Sequence, residues 1–597
     1  MLAIQNEPSP WALFIHAFAM GALLLGLLTV PTTSWAAELD ADERVPLLGG
    51  PAATQVLRAA SDRARASVER SREARESLAR WQMALVVSTL GLALWSIHDP
   101  APSRRKRRMR RLAYGAAAFA AIASFYGTQL FERSASSLHL KDVYHYWLGT
   151  RYFAELGYGE LYDCTLAVAE EQDWWWVHAL PYARDLRTMQ TREARALIQR
   201  GVRECKGQFS EARWASFTKD VTWFNEQFGA HQWRRVLNDH GYNPSPIWAL
   251  AAAPFAAAVS PESLRWLARL DVLLLAGAFT AVGWAFGLEL ACLTIVIWGT
   301  GWLWDARWVG NAFLRQMWFS AALVGLCCLK QRREIAASVL IGYASWLRLF
   351  PAIALAGYGL SAVRRWIRAG SLPRDARRFA LGFAVSSAVL VAASFASSGI
   401  DLETYEGFGR NLVTLRTVPS INLVGLEPLL WRLDGTSEIW RMPTEAIAEQ
   451  PLDRPSESRV MLWLVGAIAI GAFCLVTRDA LPWEASAATF TLLPMLAAPA
   501  CYYMQIVVLG VVLGARRPWV VIWLLAACLG WLATGVLAPN RNIEYGSASV
   551  IALLLSAAVL ACMSRPARST PQGDGTVACQ PVEEPVSREA SAAAPRA

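Results

Sequence analysis

Apolar residues in this chain are bunched rather than alternating. Runs of about 15–20 residues recur along it, separated by short polar or basic stretches. A run of that length spans hydrocarbon as a helix, and in lipid every backbone polar group must be satisfied internally. The lack of a two-residue period argues against barrel strands. The predicted spans are 82–97, 112–130, 247–259, 267–286, 288–303, 317–329, 379–396, 460–476, 485–500, 501–514, 519–537 and 547–563. Residues 335–363 are just long enough for two short helices, turning near "WLRLFP", Trp346 to Pro351. The expected fold class is an all-α polytopic membrane protein, a bundle of roughly 11–14 transmembrane or re-entrant helices with a large helical exterior loop.

The polar stretches divide the chain further. An apolar run, Trp11–Val30, ends in Ser34-Trp35-Ala36-Ala37, so 1–36 is a signal peptide or an N-terminal anchor. Residues 37–81 carry Arg and Glu at helical spacing (Arg65, Glu69, Arg72, Glu73, Glu76) and predict a charged exterior helix. Residues 82–111 add a span and the run Arg104-Arg105-Lys106-Arg107-Arg108, which places a loop in the cytoplasm. The main membrane domain is then 112–563, with exterior loops at 131–243 and 397–459. The tail, 564–597, is rich in Pro, Ala, Ser and Glu and reads as disordered and cytoplasmic. Basic residues Lys330, Arg332 and Arg333, and again Arg364, Arg365 and Arg368, mark cytoplasmic loops, so the "WLRLFP" turn faces outward. Between Pro261 and Lys330 three apolar stretches occupy a path that needs an even number, so one is re-entrant or interfacial, or the charge bias fails locally.

Composition changes this picture little. The net charge of +9 reflects basic loops beside spans and argues against nucleic-acid binding. Seven of the ten cysteines lie in or beside apolar runs as small hydrophobes. Cys164 and Cys205 share one polar loop, and spacing leaves open whether they form a disulfide. There is no CxxC pair, no Walker loop and no GxGxxG opening a helix after a strand, so no cofactor and no structural metal is expected.

The candidate chemistry begins where 112–130 emerges, at "HLKDVYHYW". Asp142 lies among Tyr144, His145, Tyr146 and Trp147. In a regular helix Asp142, His145 and Tyr146 share one face. A carboxylate there can act as a general base toward an alcohol, and aromatic rings suit the apolar faces of a sugar. The plain alternative is an aromatic belt at the headgroups with a solvated aspartate. Arg348, at the "WLRLFP" turn, can hold a phosphate by paired hydrogen bonds or can simply snorkel to the interface.

Taken in order, "DVYHYWLGTRYFAELGYGELYD", "YNPSPIWALAAAP", "GNAFLRQMW", "GYASWLRLFP", "PSINLVGL" and "APACYYMQ" resemble the GT-C superfamily of membrane glycosyltransferases, most closely glycosyltransferase family 87. That family comprises bacterial polyprenyl-phosphate-mannose-dependent α-mannosyltransferases and their relatives. The resemblance covers roughly Leu112 to Gly514. It implies Asp142 as general base, Arg348 on the donor phosphate (where the family usually has Lys), and Tyr144, Tyr146, Tyr242, Asn243 and Tyr502 as substrate-binding residues. Asn311 and Gln316 match the family's Gly-Gln-Asn cluster only loosely. The implied partners are a polyprenyl-phosphate sugar donor, a glycan or lipid-linked acceptor, and membrane lipids. The implied location is a bacterial inner membrane, with the site facing the periplasm or exterior. Two other functions compete: a transporter or flippase of a lipid-linked sugar, which predicts broken helices in matching halves, and a non-catalytic envelope scaffold.

Overall fold

The computed structural model describes residues 51–127, 138–397, 399–417, 420–433 and 456–567. The 1–36 segment, nearly all of the 564–597 tail and part of the 397–459 loop lie outside them. The described chain is helical apart from one two-stranded ribbon and an isolated bridge. Five helices are long and apolar enough to cross a membrane: Glu73–His98, Pro261–Phe286, Arg374–Phe395, Trp519–Leu537 and Arg541–Met563. Shorter apolar helices include Pro246–Ala258, Leu288–Gly299, Met317–Lys330 and Glu334–Leu347.

Two boundaries differ from expectation. The charged segment and the span after it form one helix, Pro51–His98, because neither Gly nor Pro interrupts the sequence between them. The basic run is not a loop but the opening of the Arg104–Tyr126 helix, capped by the Ser103 hydroxyl accepting from the Lys106 N–H at 3.4 Å. Cations at a helix N-terminus oppose the helix dipole. Two acids offset them: Glu289 pairs with Arg110 at 3.2 Å, and Asp99 with Lys106 at 3.7 Å.

Residues 138–245 build a lobe on the bundle. The Leu161–Glu171, Ala194–Glu204, Glu211–Gln227 and Ala230–Leu237 helices enclose Tyr144, Tyr162, Phe217, Phe224 and Trp233, all fully buried. The antiparallel ribbon pairs Tyr182–Asp185 with Gln190–Glu193. It was not expected, since neither strand alternates apolar and polar residues. Cys164 and Cys205 are joined in a disulfide, with Cα atoms 5.3 Å apart. Beside it a Cβ on Gly201 would meet the Asp163 carbonyl oxygen at 2.1 Å, so only glycine lets these two helices approach. Arg200 spans the same contact, reaching Asp163 at 2.6 Å and Asp185 at 2.9 Å. Arg151 fastens the lobe to the bundle: its guanidinium donates to the Ala256 and Val259 carbonyls at 2.8 and 3.0 Å, orphan acceptors at the end of the Pro246–Ala258 helix.

Candidate active site

The stretch around Asp142 is not a regular helix. One α turn, Leu140–Val143, opens into a π turn, Tyr144–Leu148. His139 caps the start, its Nδ1 accepting from the Asp142 N–H at 3.1 Å. The wider π turn changes which side chains share a face, and such turns recur at functional sites. Asp142 and Tyr146 both meet Arg315. His145 turns away to Tyr162 and Asp239, so the shared face expected for Asp142, His145 and Tyr146 holds only for the first and last. Tyr144 also leaves the group. Its hydroxyl pairs with Thr165 at 2.8 Å and its ring packs against Phe224, Phe228 and Trp233 inside the lobe.

Asp142 is buried, and both carboxylate oxygens are engaged. Oδ2 accepts from the Phe313 N–H at 3.1 Å; Oδ1 forms an ion pair with Arg315. These partners come from a tight loop, Gly310–Gln316, in which Asn311 and Leu314 have φ of +48° and +53°. Left-handed backbone costs a residue such as leucine about 1–2 kcal/mol, and asparagine less. Specific bonds hold it. The Asn311 carbonyl accepts from the His139 N–H at 3.1 Å, and buried Asp271 accepts from the Arg315 and Gln316 N–H groups at 2.9 and 3.0 Å. Strain that its surroundings over-determine is a mark of functional sites.

Aromatic rings complete the enclosure. The Arg315 guanidinium lies 4.4 Å from the Tyr502 ring centroid and 5.8 Å from that of Tyr146. Arg348 lies 5.5 Å from the same Tyr146 centroid. Two arginines therefore converge on one ring beside Asp142. The Tyr146 hydroxyl donates to Asn243 at 2.9 Å, and the Tyr242 hydroxyl accepts from Thr150 at 3.2 Å. Gly149 makes room for Tyr242: a Cβ there would come within 2.5 Å of its ring. Ser245 donates to the Trp346 carbonyl at 2.5 Å, tying the segment that carries Tyr242 and Asn243 to the helix end that carries Arg348. The backbone beside Tyr502 is pinned by the 422–424 segment, as Cys501 N–H donates to Asn422 O at 2.8 Å and Val424 N–H to Pro499 O at 2.9 Å.

The site thus unites Asp142, Arg348, Tyr146, Tyr242, Asn243 and Tyr502, and excludes Tyr144. Sequence reasoning missed Arg315 and Asp271. An acid inside an apolar run was the available signal for Asp271; Arg315 stood in the quoted "GNAFLRQMW" without a motif to single it out. Among the described residues no cluster of three His, Cys, Asp or Glu could hold a metal ion. Behind the site, burial pushes the His145 imidazole down to about 4, against the pull of Asp239. Tyr162 gives its only proton to Val236 O at 2.6 Å, so the 2.8 Å contact with His145 is an Nε2–H donating to the phenol oxygen.

No protein-family model, no curated protein and no solved structure matches this chain.

Proposed function

We propose that this is a polytopic membrane hexosyltransferase with a GT-C-like bundle, most similar to glycosyltransferase family 87. On this reading it moves a hexose, mannose by the resemblance, from a polyprenyl-phosphate donor to a hydroxyl of a glycan or lipid-linked acceptor. The reaction takes place at the exterior face of a bacterial inner membrane. The supporting observation is the convergence of two arginines on the Tyr146 ring, one of them paired with the buried Asp142 carboxylate. A phosphate-bearing sugar needs a cation for its phosphate, a base for the incoming alcohol and a flat apolar face for the ring, and this cluster offers all three.

The acceptor oxygen attacks the anomeric carbon as its proton passes to Asp142. The bond from that carbon to the phosphate oxygen breaks, and polyprenyl phosphate departs with one more negative charge than it carried as a diester. Arg348 faces that charge, an electrostatic contribution of the kind that often dominates catalysis. The proton on Asp142 then returns to water.

Purified protein in lipid nanodiscs, given a radiolabelled polyprenyl-phosphate hexose and an extract of envelope glycans, should transfer label to acceptor. If no donor supports transfer and the protein instead moves the lipid across vesicle bilayers, the flippase function replaces this one.

A further inference from the structure

This inference rests on the transferase reading and concerns how its base is controlled. Both oxygens of Asp142 are occupied in the structure, one by a backbone N–H and one by Arg315. In that state the carboxylate is poorly placed to accept a proton from an incoming alcohol. Arg315, however, is only half used. It spends Nη1 on Asp142, while its Nε and Nη2 make no hydrogen bond among the described residues. A guanidinium has five donors in a rigid fork suited to phosphate. Arg348 stands at the same Tyr146 ring with no carboxylate or hydrogen-bond partner among the described residues. The two cations differ: one is tied to the base, the other to no carboxylate among the described residues.

We propose that Arg315 is handed over from Asp142 to the donor phosphate, so that donor binding unmasks the base. The phosphate docks against Arg348 and the unused edge of Arg315. Its charge competes with Asp142 for the guanidinium and loosens the ion pair, which frees Oδ1 for the acceptor hydroxyl. Oδ2 keeps the Phe313 N–H, so the carboxylate stays in register. The base is therefore exposed only when a donor is present, and the donor binds before the acceptor. Arg315 is a positioning residue for Asp142 and a ligand for the phosphate in turn.

The test is equilibrium binding of a fluorescent polyprenyl monophosphate to nanodisc-embedded protein, with the matching polyprenyl alcohol as the control lipid. Wild type, Asp142→Asn and the Asp142→Asn/Arg315→Gln double variant are compared. The double variant removes both charges of the pair, which buried sites tolerate better than losing one. If Asp142 competes for Arg315, Asp142→Asn should bind the monophosphate about tenfold more tightly, because Arg315 is released. The double variant should lose that gain and bind more weakly than wild type. Should either variant unfold, Arg315→Lys serves instead: a lysine can pair with Asp142 but cannot hold the phosphate with a second edge, so affinity should fall about tenfold.

Wild-type binding that Asp142→Asn leaves within twofold would overturn the handover and leave the transferase reading standing. So would tighter binding that persists in the double variant, since the gain would then be relief of repulsion and not release of Arg315. Unchanged affinity in Arg315→Lys counts against it equally. No preference of wild type for the phosphate over the alcohol would overturn both.

Discussion

Asp271→Asn isolates what holds the site's loop in place. Asp271 accepts the Arg315 and Gln316 N–H groups, one on each oxygen, at 2.9 and 3.0 Å. Asparagine keeps one acceptor and turns an NH2 toward the other N–H. One bond is lost and a buried N–H is left unpaired, at a cost of about 1–3 kcal/mol. Against this stands the strain of the left-handed Leu314, about 1–2 kcal/mol, to which Asn311 adds less because asparagine adopts this conformation more readily. The two are of similar size, so losing one Asp271 bond lets the loop relax, and Arg315 moves with it. Three kcal/mol is a factor of about 150 at room temperature. Initial transfer rates in nanodiscs should fall on the order of 100-fold, with a melting temperature lower by only a few degrees, because among the described residues this carboxylate bonds only the two N–H groups of the loop. Wild-type transfer by Asp271→Asn, at an unchanged melting temperature, would refute the claim that Asp271 positions Arg315.

Three further outcomes follow from the geometry. His145 is neutral in the fold, with its proton affinity depressed from 6.5 to about 4, so the unfolded chain takes up a proton first as pH falls; stability should drop by roughly 3 kcal/mol between about pH 6.5 and 4, and melting curves of His145→Gln should lose that part of the pH dependence. Cys164→Ser/Cys205→Ser opens a loop spanning 41 residues and should cost the lobe roughly 4 kcal/mol by loop entropy, read as faster proteolysis within 161–237; equal protease resistance would show that helix packing alone holds the lobe. Gly149→Ala drives a Cβ into the Tyr242 ring and should cost about 1–3 kcal/mol while weakening transfer, whereas Gly157→Ala adds a Cβ that meets nothing within 4 Å and is strained only by its φ of +49°; equal transfer rates in the two variants would remove Tyr242 from the site.

The helical class was legible because unbroken apolar runs admit few other structures, and the turn at Trp346–Pro351 was legible because a proline followed a short run between basic loops. The one-piece Pro51–His98 helix was harder to see, since a change from charged to apolar composition marks a change of surroundings and not a break in hydrogen bonding. The ribbon had no alternation to reveal it. At the site, Asp142 stood out as a carboxylate among aromatics, but its orientation depended on a π turn, which leaves no periodic trace in sequence. Arg315 and Asp271 lie 173 and 129 positions from Asp142, and Arg315 is brought there by a loop whose shape depends on left-handed Asn311 and Leu314, a conformation that asparagine signals weakly and leucine not at all. Tyr144 shows the reverse error: nearness in sequence to Asp142 placed it in the site, and the π turn took it out.

The central claim is that Asp142 takes the acceptor's proton, and the turnover of Asp142→Asn under saturating donor and acceptor measures it most directly. A positioned general base contributes about 10²–10⁴-fold. Turnover should fall by at least 100-fold while the protein stays folded and still binds polyprenyl phosphate. Turnover within tenfold of wild type would contradict it and leave Asp142 a structural partner of Arg315.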